Sequence, residues 1–273
     1  MPLVLKSVDA GRGVRWVGDA LKLFARRPLG FTSLFAMFLG VNVVAALLPF
    51  VGLLLQLMSL PLLTAAFMVA SQSALLDGPV RPTQFIEPLT GDARRRRAML
   101  TLCLVYGLVA LAIVILADAI SNQALDRYQA LLAKGPSAQP ELEALLAEPG
   151  VTNGMLVFVI GIALLSVPFW HAPALVHWAG QGVGQALFSS TLAVWRNKGA
   201  FLLYLLTLGI GSALLGLATG LVLGIVGLPQ LAGLLIVPAL LVGSTVFYVS
   251  LIFTFNDSFG GAPAAPVAEA PGA

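Results

Sequence analysis

Long apolar runs separated by short polar breaks dominate this chain of 273 residues. Six runs reach the roughly 20 helical residues that cross a hydrocarbon core, over residues 29–48, 53–76, 98–120, 155–178, 200–226 and 231–255. Apolar and polar positions do not alternate within them as in a barrel strand. Backbone amides in lipid must also be satisfied inside their own segment, so each run predicts a helix. The expected fold class is all-α, a polytopic membrane bundle of six transmembrane helices. Only Pro49-Phe50-Val51-Gly52 separates the first two spans and Gly227-Leu228-Pro229-Gln230 the last two, which predicts tight helical hairpins. The longest connection, 121–153, is polar, contains Asp126-Arg127-Tyr128 and Glu141-Leu142-Glu143, and predicts one or two short surface helices. Residues 1–257 read as a single membrane domain, and the Ala/Pro/Gly-rich residues 258–273 as a disordered tail.

Two shorter segments carry a helical period of their own. Over residues 12–27, Trp16, Val17, Ala20, Leu21 and Phe24 fall on one face, and Arg15, Asp19, Lys22 and Arg26 on the other. Residues 184–198 repeat this more weakly, with Leu187, Phe188, Leu192 and Trp195 against Gln185, Ser189, Arg196 and Lys198. Both predict amphipathic helices lying in the membrane interface, the first with Trp16, Leu21 and Phe24 on its apolar face. Such a collar either anchors and orients the next span or engages anionic lipid or a partner. The pattern alone does not choose.

Composition agrees with the pattern. The chain is 59% hydrophobic and 10% charged, with mean hydropathy +0.96, whereas a soluble domain carries about 25% charge. A net charge of +3 hints at nucleic acid only until its distribution is read. Of the 15 lysines and arginines, 13 share a side with the N-terminus, against two in 121–153; the acids split seven and five, giving +6 and −3. The positive-inside bias therefore places both termini, Arg26, Arg27, Arg94, Arg95, Arg96, Arg97, Arg196 and Lys198 in the cytoplasm and 121–153 in the periplasm. The expected partner is the bilayer, with anionic lipids at the basic face, and no nucleic acid. A membrane-protein partner or a second copy stays open. The first apolar run follows Arg26-Arg27-Pro28, has the length of a full span and leads straight into another, unlike a cleavable signal peptide.

The collars also align with one another. Val17-Gly18-Asp19-Ala20-Leu21 matches Val183-Gly184-Gln185-Ala186-Leu187, and Arg26-Arg27-Pro28-Leu29-Gly30-Phe31 matches Arg196-Asn197-Lys198-Gly199-Ala200-Phe201. The second span of each pair holds a proline, Pro61, Pro168 or Pro238, and Arg94–Arg97 precede the middle pair. Three units of basic collar, span and proline-bearing span are expected. With its Arg26-Arg27-Pro28 step, and with Ala172-Pro173-Ala174-Leu175, Gln185-Ala186-Leu187-Phe188 and Trp195-Arg196-Asn197, the chain resembles a family of uncharacterised β-proteobacterial multi-pass inner-membrane proteins. More distantly it is similar to the membrane domain fused to some glycerophosphodiester phosphodiesterases. The resemblance implies a multi-pass inner-membrane protein and no particular activity; the phosphodiesterase's acidic and histidine cluster is missing from the sequence.

Candidate chemistry is sparse. His171 and His177 are the two histidines; six residues turn a helix through about 600°, so the rings diverge, and two ligands are too few for a metal site. No cofactor, metal or catalytic residue is expected. Cys103 is the single cysteine, within an apolar run, and reads as an inert buried thiol. Ser212, Gly216, Gly220 and Gly224, at four-residue spacing, predict a seam where a neighbouring helix approaches closely, in this chain or another. Asn42, Gln56 and His171 are candidates for a polar site, but they fall at different depths and do not occupy matching places in the units. No Asp, Glu, Lys or Arg lies near the middle of a span, as ion-coupled transport usually needs. The favoured class is a non-catalytic envelope scaffold, assembly or lipid-associated component; the alternative is a transporter or channel for a small solute.

Overall fold

The computed structural model describes residues 4–227 and 232–260, the side chains of 136, 232–234, 236 and 237 excepted. Six of its helices are long and apolar enough to cross a membrane, and no strand occurs among the described residues, so the all-α polytopic bundle is borne out. A collar helix, α1 (Arg12–Arg26), leads into the hairpin of α2 (Pro28–Ala46) and α3 (Gly52–Leu75). Two 3-10 turns, Pro82–Phe85 and Glu87–Leu89, precede α4 (Ala93–Ile120). The long connection carries α5 (Ala124–Ala133) and α6 (Gln139–Leu146). The fourth span is broken into α7 (Pro149–Phe169) and α8 (Ala172–Ala179). The second collar, α9 (Val183–Arg196), leads into α10 (Lys198–Ile225) and α11 (Ala232–Phe259). Helix α11 thus runs two residues into the segment read as a tail; residues 261–273 lie outside the described residues, as does most of the expected turn at 227–230.

Local chemistry sets the ends. Pro28 opens α2 at a position where a missing amide proton costs nothing. The Asp92 carboxylate accepts the Arg95 amide at 2.9 Å and caps α4. That bond holds Asp92 below its ordinary pKa. Gly180, at φ 62°, ends α8 in the left-handed conformation that glycine adopts without strain.

The three units dock in a cycle. Helix α3 packs on α4 and on α11, and α9, the collar of the last unit, packs on α7 and α8 of the middle one, so each unit touches the others. The element before each span sits on a different unit's hairpin. Helix α1 packs on α10 and α11, the 3-10 turns pack on α2 and α3, and α9 packs on α7 and α8. In the middle unit the collar is therefore two 3-10 turns rather than an amphipathic helix. Apolar residues such as Leu116, Leu164 and Leu217 stay exposed on the outside of the spans, as lipid contact requires.

Candidate functional site

The first collar is built into the protein. Gly13, Trp16, Ala20 and Leu23 are its buried residues. A Cβ on Gly13 would lie 2.0 Å from the Ala200 carbonyl oxygen, so only glycine permits this approach of α1 to α10. The Trp16 ring, fully buried, lies tilted against Phe201 at 5.3 Å, and its indole N–H donates to Asp257 Oδ2 at 2.7 Å. Arg12 Nε donates to the same oxygen at 2.7 Å, which raises the Arg12 pKa above its ordinary value. The expected apolar face of Trp16, Leu21 and Phe24 is therefore corrected. Trp16 meets protein instead of lipid, Leu21 is half exposed on another side, and Phe24 packs at the edge beside Phe31. The physical reason is Asp257: an acid at the end of α11 supplies a partner for the indole that lipid lacks. Helix α9 differs, with Phe188, Leu192 and Trp195 exposed and Ala186, Ser190 and Ala193 buried.

The basic residues crowd one end of the bundle. Arg26, Arg94, Arg96, Arg97, Arg196 and Lys198 are exposed there, Lys198 over the Trp195 ring at 5.1 Å. Arg27 donates to the Asp77 carbonyl at 3.0 Å and Arg95 to the His177 carbonyl at 3.4 Å. Asn197, which aligns with Arg27, is buried: it accepts the Val8 amide at 2.9 Å and donates to the Lys6 carbonyl at 3.2 Å.

The three polar-site candidates separate into a pair and a singleton. Asn42 Nδ2 donates to Ser59 Oγ at 3.3 Å, and Gln56 Nε2 donates to the Asn42 carbonyl at 2.9 Å, joining α2 to α3. His171 lies elsewhere, fully buried at the break between α7 and α8. Thr254 gives its proton to the Leu251 carbonyl at 2.8 Å, so its oxygen accepts from His171 Nε2 at 3.0 Å and from Trp170 at 3.3 Å. Ser190 of α9 holds the break itself, accepting the His171 amide at 2.9 Å and donating to the Val167 carbonyl at 3.1 Å. The sequence singled out neither Ser190 nor Thr254, because nothing local marks a serine that serves another helix.

The glycine seam is open. Among the described residues, nothing outside the helix's own backbone lies within 4 Å of a Cβ built on Gly216, Gly220 or Gly224. The expectation of a close helix contact is thus corrected within this chain. Helix α10 buries only Ala200, Phe201 and Tyr204, all in its first two turns, and beyond them it diverges from the bundle. Ser212, Gly216 and Gly220 line instead a groove of about 730 Å³ between α10 and α11, with Leu235, Ala239 and Gly243 opposite. Phe247 and Tyr248 close its inner end and also wall a second cavity, of about 220 Å³, where the three units meet. Pro61 and Thr64 of α3, Tyr106 of α4, Ser166 and Trp170 of the broken span complete that cavity. Among the described residues, no cluster of His, Cys, Asp or Glu is arranged to hold a metal ion.

In sequence the chain is similar to a probable inner membrane protein of Burkholderia thailandensis, 31% identical over 278 residues that cover 96% of this chain and 97% of the relative. No family model and no solved structure matches. At that identity and coverage the chain belongs to the same family of multi-pass inner-membrane proteins, the β-proteobacterial family to which the collar motifs pointed.

Proposed function

We propose that this family member is a non-catalytic, lipid-associated component of the bacterial inner membrane, which holds a lipid chain in the groove of its last hairpin. The observation that supports this reading is the groove between α10 and α11, about 730 Å³ at hydrocarbon depth and lined by Ser212, Gly216, Gly220, Leu235, Ala239 and Gly243. Van der Waals contact is the main force available between apolar surfaces in lipid, so an unfilled groove is costly and an acyl chain is the solvent at hand. A helix is about 10–12 Å across with its side chains. Helices α10 and α11 still touch one another, which leaves a slot for a chain and not for a third helix. The basic face, with Arg94–Arg97 exposed, supports anionic headgroups on the cytoplasmic leaflet and an orientation with both termini inside.

Deletion of the gene is expected to alter the phospholipid composition of the envelope, and the wild-type gene to restore it. A Gly216→Leu/Gly220→Leu variant, present at normal level, is expected to fail. Envelope lipids unchanged by the deletion, or full restoration by the filled-groove variant, would overturn this reading.

A further inference from the structure

The 220 Å³ cavity lies at the middle of the membrane. Tyr106 is about 20 Å from either end of α4 at 1.5 Å rise per residue, and Pro61 of α3 and Ser166 of α7 line the same space. Sites at that depth, between repeated units and beside a broken helix, are where membrane proteins commonly hold a guest. Two phenols wall it, Tyr106 from the middle unit and Tyr248 from the last. The other hydroxyls bordering it are engaged: Thr64 donates to the Leu60 carbonyl at 3.2 Å and Ser166 to the Ala163 carbonyl at 2.7 Å. Neither phenol hydroxyl has a hydrogen-bond partner among the described residues. An O–H without an acceptor in hydrocarbon is unfavourable, and two such donors facing a shared space call for one acceptor between them.

We propose that Tyr106 and Tyr248 bind the carbonyl oxygen of a neutral lipophilic molecule whose head occupies this cavity. A charged head is disfavoured at the midplane, where no cation or carboxylate of the protein lines the wall to meet it. The volume is below the usual range for a whole ligand, about 300–1,000 Å³, so the cavity takes a head only. The tail continues into the larger groove, which shares the Phe247 and Tyr248 wall. The inference deepens the lipid-associated reading by naming the chemistry of the head. A quinone ring and an aliphatic ester both present such a carbonyl.

The test uses the full-length protein in phosphatidylcholine nanodiscs, titrated with decylubiquinone, methyl decanoate or decylbenzene. Binding is read as saturable quenching of the Trp170 component, taken as the difference from Trp170→Phe, for the quinone, and as a rise in Tm for all three. At least one carbonyl probe is expected to bind at least tenfold tighter than decylbenzene. Tyr106→Phe and Tyr248→Phe, with unchanged Tm in the absence of probe, are each expected to weaken it about tenfold. Preference for decylubiquinone assigns the quinone class, and preference for methyl decanoate the ester. Equal binding of decylbenzene, or unaltered binding by both phenylalanine variants, overturns the proposal. If native phospholipid still copurifies in that case, the lipid-associated reading stands without it.

Discussion

At the scale of single residues, polar side chains inside this bundle act in small sets that cross between elements. Asn42, Ser59 and Gln56 form one such set, and the Asn42 carbonyl is the acceptor for Gln56. Asn42 and Ser59 bond side chain to side chain, so their effects should not add, whereas Gln56 reaches the Asn42 backbone carbonyl, which Asn42→Ala keeps. In a double-mutant cycle of Asn42→Ala and Ser59→Ala, thermal denaturation in detergent should give a coupling of about 0.5 kcal/mol or more. His171→Ala should combine additively with either. Additivity of the first pair would show that the two side chains do not work together. The three residues are visible in the sequence as polar positions in apolar runs. Their pairing is not, because Gln56 and Asn42 meet only once the hairpin at Pro49–Gly52 closes. Likewise Asp257 looked like the end of the last span, and its role shows only when α1 lies across α11 and brings Trp16 and Arg12 to one oxygen.

At the scale of elements, the two sets of glycines have opposite meanings that spacing alone could not separate. Gly13 meets the backbone of α10, whereas Gly220 faces open space. Gly13→Leu should force α1 away from Ala200 and cost about 1–3 kcal/mol or more through overpacking. Gly220→Leu should leave the unfolding temperature of the lipid-free protein unchanged within error. The reverse order would place the close contact on α10 and the open face on α1. Hydropathy found the six long apolar helices, two of which start five or six residues earlier than read, because length and apolar content are set by the bilayer and not by neighbours. The first and last collars were legible as amphipathic helices from their helical period. What their apolar faces touch was not legible, since lipid and a protein core are both apolar. Trp16 and Trp195 both fall on the apolar face read for their collars, yet one is fully buried and the other 70% exposed.

At the scale of the whole molecule, three units form a closed cycle in which each leading element rests on another unit's hairpin. The three-unit reading came from the collars and the prolines, but the order of docking depends on contacts between residues some 190 positions apart, such as Val8 with Asn197. The charge distribution predicts the sense of the whole in the membrane. Periplasm-specific reporters should be active when fused within 121–153 and silent after Asp92 and Asn256; activity at Asn256 would require an odd number of spans. The cycle is tight on the basic side and loose where α10 leaves the bundle, and the account rests on a lipid filling that gap. The most direct measurement is native mass spectrometry of the full-length protein released from detergent micelles. The wild type should carry one lipid mass that survives mild activation, while Gly216→Leu/Gly220→Leu, with unchanged unfolding temperature, should emerge bare. A wild-type protein that emerges without lipid, or a filled-groove variant that retains it, would contradict the account.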